Sequence, residues 1–168
     1  DIAVDDSGGP NQGNVYVTAG AFNASGSVYA FGPLAELSHP FVSTLSQEGA
    51  FHDPCGSTND SEGDLYVAAY QDNAVKIYDA SGAFVTEFTP SANGPEPPCG
   101  LAVDSAGNIY VNGWGTDVVK YNPSAYPPTS GTTYSADTSV NGTGKVVSSG
   151  ATSVAVDPAT QNVYVALG

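Results

Sequence analysis

The sequence predicts an all-β protein built from a repeated antiparallel unit. Short runs of strand-forming residues alternate with turn clusters along the chain. The same pattern of strand, turn and strand then recurs several times. Composition agrees, because the 168 residues include 20 Gly and 12 Pro and show no amphipathic helical period.

The clearest unit lies at residues 98–121. It contains three runs of strand formers, at 101–103, 109–111 and 118–121. Turn clusters at 104–108 and 113–117 separate the three runs. This stretch therefore predicts three consecutive antiparallel strands.

The unit recurs when it is shifted along the chain. A shift of 44 residues places Cys55 on Cys99, and partial matches occur at residues 1–17 and 153–167. One tyrosine marks the second strand of every unit, at spacings of 50, 44 and 54: Tyr16, Tyr66, Tyr110 and Tyr164. We predict that these rings pack between sheets with their hydroxyls at a polar rim.

The strands expected in the first unit are 1–5, 14–19, 27–31 and 41–45, and those in the second are 57–59, 64–70, 74–78 and 83–88. The third unit has 101–103, 108–112, 118–121 and a weak fourth strand within 132–147, and two more strands follow at 153–156 and 162–166. Four-stranded units of this length are typical of β-propeller blades. We therefore predict about three and a half blades, at about 1–50, 51–95, 96–149 and 150–168.

The repeated segments resemble a known family. GLAVDSAGNIYV and TDVVKYNPSA resemble NHL repeats, and SVAVDPATQNVYV also resembles the related YVTN-type repeat. The resemblance spans nearly the whole chain and implies a six-bladed propeller in its complete form. It implies no single function, since such propellers are interaction platforms and, less often, enzymes.

The charge balance excludes two classes of partner. There are 17 acidic residues against three lysines, and arginine is absent. Nucleic acids and anionic membrane surfaces need Lys and Arg, so neither is expected as a partner. The acidic residues are expected to keep the protein soluble.

Several features favour an extracellular or cell-surface location. The sequence has no secretion signal, apolar span or lipidation motif and begins at Asp1, which suggests a processed chain or a segment of a longer one. It lacks Met and contains three sequons that permit N-glycosylation, at Asn23, Asn59 and Asn141. No membrane insertion is expected.

Four residues are predicted to gather at one end of a central channel. His52 stands three residues before Cys55, and Glu96 stands three residues before Cys99. Two thiolates, an imidazole and a carboxylate could hold zinc in a tetrahedral site. A disulfide between the two cysteines, or two unpaired thiols, are the alternatives.

A polar patch is predicted beside this cluster. Ser57, Thr58 and Asn59 stand where the next unit has Leu101-Ala102-Val103. The polar residues either occupy an edge or a water-lined position of the channel, or they face a ligand. With the four residues above, Ser57 and Asn59 form a predicted ligand-binding mouth.

Nothing in the sequence predicts a catalytic residue or a required cofactor. Familiar nucleophile, zinc-protease, phosphate-loop and haem motifs are missing. Calcium, as in lactonase-like propellers, could be sought at Asp60, Asp104 and Asp157, but aspartates in such turns cap the backbone without a metal. We expect an interaction module that binds a protein, glycan or small ligand or builds an assembly; the alternative is a metal-dependent lactonase-like or lyase-like enzyme with its site in the channel.

The predicted blades do not close a ring. The chain starts at an innermost strand and ends after the second strand of a blade. Open strand edges associate readily. We therefore expect further blades of the same polypeptide, or another chain, to complete the propeller.

Overall fold

A computed structural model describes residues 1–20, 25–34, 40–45, 51–90 and 97–168. In these ranges all regular elements are β-strands, and no helix is present that could cross a membrane. The strands are β1 (Ile2–Val4), β2 (Val15–Ala19), β3 (Ser25–Phe31), β4 (Phe41–Leu45), β5 (Phe51–His52), β6 (Pro54–Asn59), β7 (Leu65–Ala69), β8 (Ala74–Tyr78), β9 (Phe84–Phe88), β10 (Pro98–Val103), β11 (Ile109–Gly113), β12 (Thr116–Pro123), β13 (Tyr134–Ala136), β14 (Lys145–Val156) and β15 (Val163–Leu167).

The strands form three antiparallel sheets. Sheet 1 has the order β1-β2-β3-β4, with β5 beside β3, and sheet 2 has the order β6-β7-β8-β9. Sheet 3 has the order β10-β11-β12-β14-β15, with β13 beside β12. Because β14 pairs with β12 through its first half and with β15 through its second, it joins the predicted third unit to the predicted fourth.

The predicted strands correspond closely to the observed ones, with three differences. The innermost strands β6 and β10 begin at Pro54 and Pro98, earlier than predicted, because proline is tolerated as the first residue of a strand. The short strand β5 was not predicted. The weak fourth strand of the third unit is divided between β13 and the start of β14.

Side chains packed between the sheets form the core. Leu65, Val67 and Ala69 of β7 pack towards sheet 1, whereas Tyr66 and Ala68 pack towards sheet 3. Both faces of this strand are therefore covered, which explains its continuous apolar sequence. The innermost strands β1, β6, β10 and β14 lie side by side in that order. This arrangement is consistent with a β-propeller-like fold.

The four repeated tyrosines occupy equivalent positions. Each is the second residue of its strand and pairs across to the innermost strand, with partners Ala3, Thr58, Ala102 and Ala155 in chain order. Tyr16, Tyr66 and Tyr110 are buried, as predicted. Tyr164 is 58% exposed, so the prediction of a packed ring is wrong there. No sheet of the described residues covers that face of β15.

Candidate functional site

An open cavity of about 580 Å³ lies along the innermost strands. Its apolar lining includes Ile2, Leu101 and Val154, which come from three different innermost strands. The strand β6 contributes Ser57 and Asn59 instead. The structure therefore places the predicted polar patch in the wall of a cavity.

The polar patch carries two unsatisfied acceptors. The Ser57 backbone N–H donates to Asp1 Oδ2 at 2.9 Å, and Asn59 Nδ2 lies 3.5 Å from the Asp64 carbonyl oxygen. Ser57 Oγ and Asn59 Oδ1 are buried and have no hydrogen-bond partner among the described residues. Unpaired buried polar atoms are costly and rare, so this pair distinguishes β6 from the other innermost strands that line the cavity.

Negative charge surrounds the cavity. Asp6, Asp60 and Asp104 are among its lining residues, and the described residues that line it include no Lys, Arg or His. Together with the net charge of −14, this disfavours anions and favours positively charged groups.

The Asp60 carboxylate caps the turn between β6 and β7. Its Oδ1 accepts hydrogen bonds from the backbone N–H groups of Glu62 and Asp64, at 3.0 and 2.9 Å. Its Oδ2 accepts a hydrogen bond from the Tyr66 hydroxyl at 2.8 Å. Burial raises the pKa of Asp60 and that of Tyr66. The hydroxyl of the repeated tyrosine therefore contacts a polar group, as predicted. This hydrogen bond links its strand to the preceding turn.

The equivalent aspartates act in the same way. Asp104 Oδ1 accepts hydrogen bonds from Ala106 N–H and Asn108 N–H, both at 3.0 Å, and its Oδ2 lies 3.3 Å from the Tyr110 hydroxyl. Asp157 Oδ1 accepts a hydrogen bond from Ala159 N–H at 2.8 Å. These carboxylates cap turns, as the sequence indicated. In the described ranges, no group of three or more His, Cys, Asp or Glu residues is placed to hold a metal ion.

Asp64 is the exception among the turn residues. Asn14, Asn108 and Asn162 occupy the equivalent position in the other units. Burial and the negative charge of Asp60 raise the pKa of Asp64 to about 6. By contrast, Asn108 Nδ2 donates to Asp104 Oδ2 at 2.9 Å. At this position the second unit thus has two neighbouring carboxylates, Asp60 and Asp64. The third unit has a hydrogen bond between Asn108 and Asp104 instead.

Cys55 and Cys99 form a disulfide. Their Cα atoms are 4.9 Å apart, and the bond joins the starts of β6 and β10. The following residue must be small, because a Cβ at Gly56 would clash with the Cys99 carbonyl oxygen. Of the alternatives left open by the sequence, the structure shows the disulfide, in which neither sulfur is a thiolate that could bind zinc.

His52 contacts Asp72, which also pairs with Lys76, and not the cysteines. Its Nδ1 is 2.6 Å from Asp72 Oδ1, and Lys76 Nζ donates to Asp72 Oδ2 at 2.9 Å. Burial opposes ionisation of Asp72, but the hydrogen bonds from Lys76 and His52 hold its pKa below the usual value. The ammonium group of Lys76 also lies 5.5 Å from the centre of the Phe51 ring.

The predicted channel-mouth residues are therefore brought together only in part. Cys55 and Cys99 are bonded to each other, Ser57 and Asn59 line the cavity, and His52 pairs with Asp72. Glu96 lies outside the described residues. Sequence reasoning missed Asp72, although its spacing of four residues from Lys76 was visible. It also missed the apolar residues that line the cavity. Their position on the innermost strands was the signal that could have identified them.

Comparisons with known proteins support the fold. No protein-family model matches the sequence, and no curated protein sequence matches it. A crystal structure of a protein from Lactobacillus plantarum is similar, with a TM-score of 0.62 and 15% sequence identity over 98% of this chain. This chain covers 47% of that protein, or about half its length. At this identity the likeness concerns the fold alone.

Proposed function

We propose that this chain is part of an NHL- or YVTN-like β-propeller that serves as an extracellular interaction module. Sheets 1 and 2 would be its first two blades, and β10 to β13 with the start of β14 would form the third. The end of β14 and β15 would begin the fourth of six blades. Recurrence of the Asp-capped turn and of the tyrosine supports this repeat assignment.

The cavity is the proposed binding site, and its ligand carries a protonated amine. The carboxylate oxygens of two residues that line the cavity and are not fully buried, Asp6 and Asp104, carry this proposal. An ammonium group has three hydrogen-bond donors and no acceptor, so it complements such atoms. The surrounding aspartates favour its charge. A lysine side chain, an amino sugar or a polyamine offers this chemistry.

The disulfide supports the extracellular location. Such bonds persist in oxidising compartments and are rare in the cytosol. The bond also fixes the starts of β6 and β10, and these strands carry Ser57, Asn59 and Leu101 further along. It would therefore hold one wall of the cavity rigid for binding.

Three probes of equal length test the amine preference. Titration of ¹⁵N-labelled protein with 1,6-diaminohexane should shift the amide resonances of residues 57–61 and 101–105. The neutral 1,6-hexanediol should bind more weakly, and the dianion adipate should produce no shift. Equal shifts with adipate and the diamine would contradict the proposed ligand chemistry.

A double substitution tests the site. Asp6→Asn with Asp104→Asn removes two lining carboxylate charges and should weaken diamine binding by about tenfold or more, the change expected for loss of hydrogen bonds to a charged group. Glu87→Gln is the matched control, because Glu87 is exposed on β9 away from the cavity. Unchanged affinity in the double variant would move the site elsewhere.

A further inference from the structure

Asparagine followed directly by glycine occurs three times in the sequence, in three different settings. Asn112-Gly113 ends strand β11, Asn141-Gly142 lies between β13 and β14, and Asn93-Gly94 lies outside the described residues. In such a pair the backbone nitrogen of the glycine can attack the side-chain amide of the asparagine, because glycine has no Cβ that hinders the approach. Whether the folded chain permits this reaction depends on the exposure of the pair and on the contacts of its atoms.

The pair Asn141-Gly142 lies in an exposed turn with a left-handed backbone. Both residues are exposed, and their φ angles are 50° and 72°. The carbonyl oxygen of Val140 accepts hydrogen bonds from the backbone N–H groups of Thr143 and Gly144, at 3.1 and 2.8 Å. Positive φ at both central residues defines the type I′ turn, which asparagine followed by glycine favours. The pair is therefore held at the tip of a tight turn, open to water.

The glycine nitrogen of this turn is unhindered. Among the described residues, the Gly142 N–H donates to no acceptor. A Cβ placed on Gly142 would meet no atom within 4 Å beyond its chain neighbours. The Asn141 side chain donates from Nδ2 to the Lys145 carbonyl oxygen at 3.1 Å, at the surface of the protein. Loss of Nδ2 therefore breaks one exposed hydrogen bond, whose net contribution to stability is small.

Asn112-Gly113 is the opposite case. Asn112 is 1% exposed, and its Nδ2 donates to the Gly113 carbonyl oxygen at 3.0 Å. It is paired on both sides, with Gly100 of β10 and Val118 of β12. A Cβ at Gly100 would clash with Asn112 Oδ1. The Asn112 amide is therefore shielded from water and packed too closely to turn towards its own backbone.

We propose that Asn141 is a site of spontaneous deamidation in the folded protein and that Asn112 is not. The Gly142 nitrogen loses its proton and forms a bond to Asn141 Cγ. The Cγ–Nδ2 bond breaks, and Nδ2 takes up a proton and leaves as ammonia. Water then opens the cyclic imide: attack at the side-chain carbonyl gives aspartate, and attack at the backbone carbonyl gives isoaspartate. Either product carries one more negative charge at neutral pH.

The products lack the hydrogen bond that Asn141 makes. An aspartate at position 141 has no Nδ2, and its carboxylate meets the Lys145 carbonyl oxygen as a second acceptor. The turn also links β12 to β14, since the Lys120 N–H donates to the Gly144 carbonyl oxygen at 2.9 Å. Deamidation should therefore loosen the start of β14, the strand that joins the third unit to the fourth.

Peptide mapping of the folded protein during incubation at pH 8 tests the proposal. Cleavage after lysine separates the two pairs, because Asn141 falls in peptide 121–145 and Asn112 falls in peptide 77–120. Asn141 should convert with time to two isomeric products, each with the mass of an amide-to-carboxylate exchange, while Asn112 stays intact. Fragmentation of each peptide locates the change, and an unincubated sample gives the background. In urea the two pairs lose their different surroundings and should convert at similar rates.

Two results of the mapping would overturn the proposal. One is an Asn141 that stays intact in the folded protein while it converts in urea. The other is equal conversion of Asn112 and Asn141 in the folded protein. Neither result bears on ligand binding, so the diamine titration can succeed or fail independently.

Asn141→Asp reproduces one product and tests the structural consequence. Hydrogen exchange at the backbone amides of 145–147 should be several-fold faster in this variant than in the wild-type protein. Asn162→Asp is the matched control, because it adds the same charge at an exposed asparagine outside the turn. Unchanged exchange in Asn141→Asp, or equally faster exchange in the control, would contradict a local loosening of β14.

Discussion

Strands β7 and β15 have nearly the same sequence pattern and opposite surroundings. All five residues of β7 (Leu65–Ala69) are buried, whereas the residues of β15 (Val163–Leu167) are exposed or half-buried. Tyr66 is inaccessible, and its counterpart Tyr164 is 58% exposed. The repeat therefore determines where a strand and its tyrosine lie, and the neighbouring sheet determines how much that tyrosine stabilises the fold.

The largest expected effect is at the centre of the molecule. Tyr66→Ala should lower the free energy of unfolding by about 4 kcal/mol, because it removes a buried ring and its hydrogen bond to Asp60. Tyr110→Ala should cost about 3 kcal/mol. Urea denaturation measures both losses. A loss below about 1 kcal/mol at Tyr110 would show that the register is wrong.

The disulfide should contribute nearly as much. Cys55→Ser with Cys99→Ser removes a link between residues 44 apart, which corresponds to about 4 kcal/mol if loop-closure entropy dominates. Chemical denaturation of the double variant and of the oxidised protein measures the difference. Thiol titration of the denatured, unreduced protein should find no free thiol. Two free thiols would show that the bond is absent.

Asp64→Asn should stabilise the protein at pH 7 by about 1 kcal/mol, since Asp64 is a partly buried carboxylate beside Asp60. Its pKa is about 6 in the folded state and about 4 in the unfolded state. The contribution of Asp64 to stability is therefore present below pH 4 and is lost as the pH rises through 6. The variant should lose this part of the pH dependence.

The reverse change in the third unit tests the same effect of a second carboxylate. Asn108→Asp replaces the hydrogen bond from Asn108 Nδ2 to Asp104 with two neighbouring carboxylates. It should destabilise the protein at pH 7 by about 1 kcal/mol and leave it nearly unchanged at pH 4. Thermal unfolding at both pH values measures this. Equal effects at pH 4 and pH 7 would argue against a charge mechanism.

The smallest effect is expected at Tyr164, on the face of β15 that no described sheet covers. Tyr164→Ala should change the unfolding free energy of the monomer by less than about 0.5 kcal/mol, because an exposed side chain loses little packing. Urea denaturation gives the value. A loss comparable to that of Tyr66→Ala would mean that part of the same chain covers Tyr164.

Local patterns explain what the sequence could predict. Runs such as 109–111 between turn clusters predict the strands, and the aspartates before them predict the capped turns, because both depend on neighbouring residues. The repeat spacing predicted that Cys55 and Cys99 lie close together. It did not decide between a disulfide, two free thiols and a zinc site. His52 pairs with Asp72, 20 residues away, and no local pattern indicates that contact. The exposure of Tyr164 also depends on a neighbour that its own strand does not encode.

Tyrosine-selective nitration, read by mass spectrometry, tests most directly whether neighbouring sheets control the exposure of these equivalent tyrosines. Tyr66 should stay unmodified, because it is buried. Tyr110 is buried too, and burial raises its pKa to about 12, so it should also resist modification. Tyr164 is 58% exposed and should be nitrated readily. Nitration of Tyr66 or Tyr110 as fast as that of Tyr164 would contradict the account.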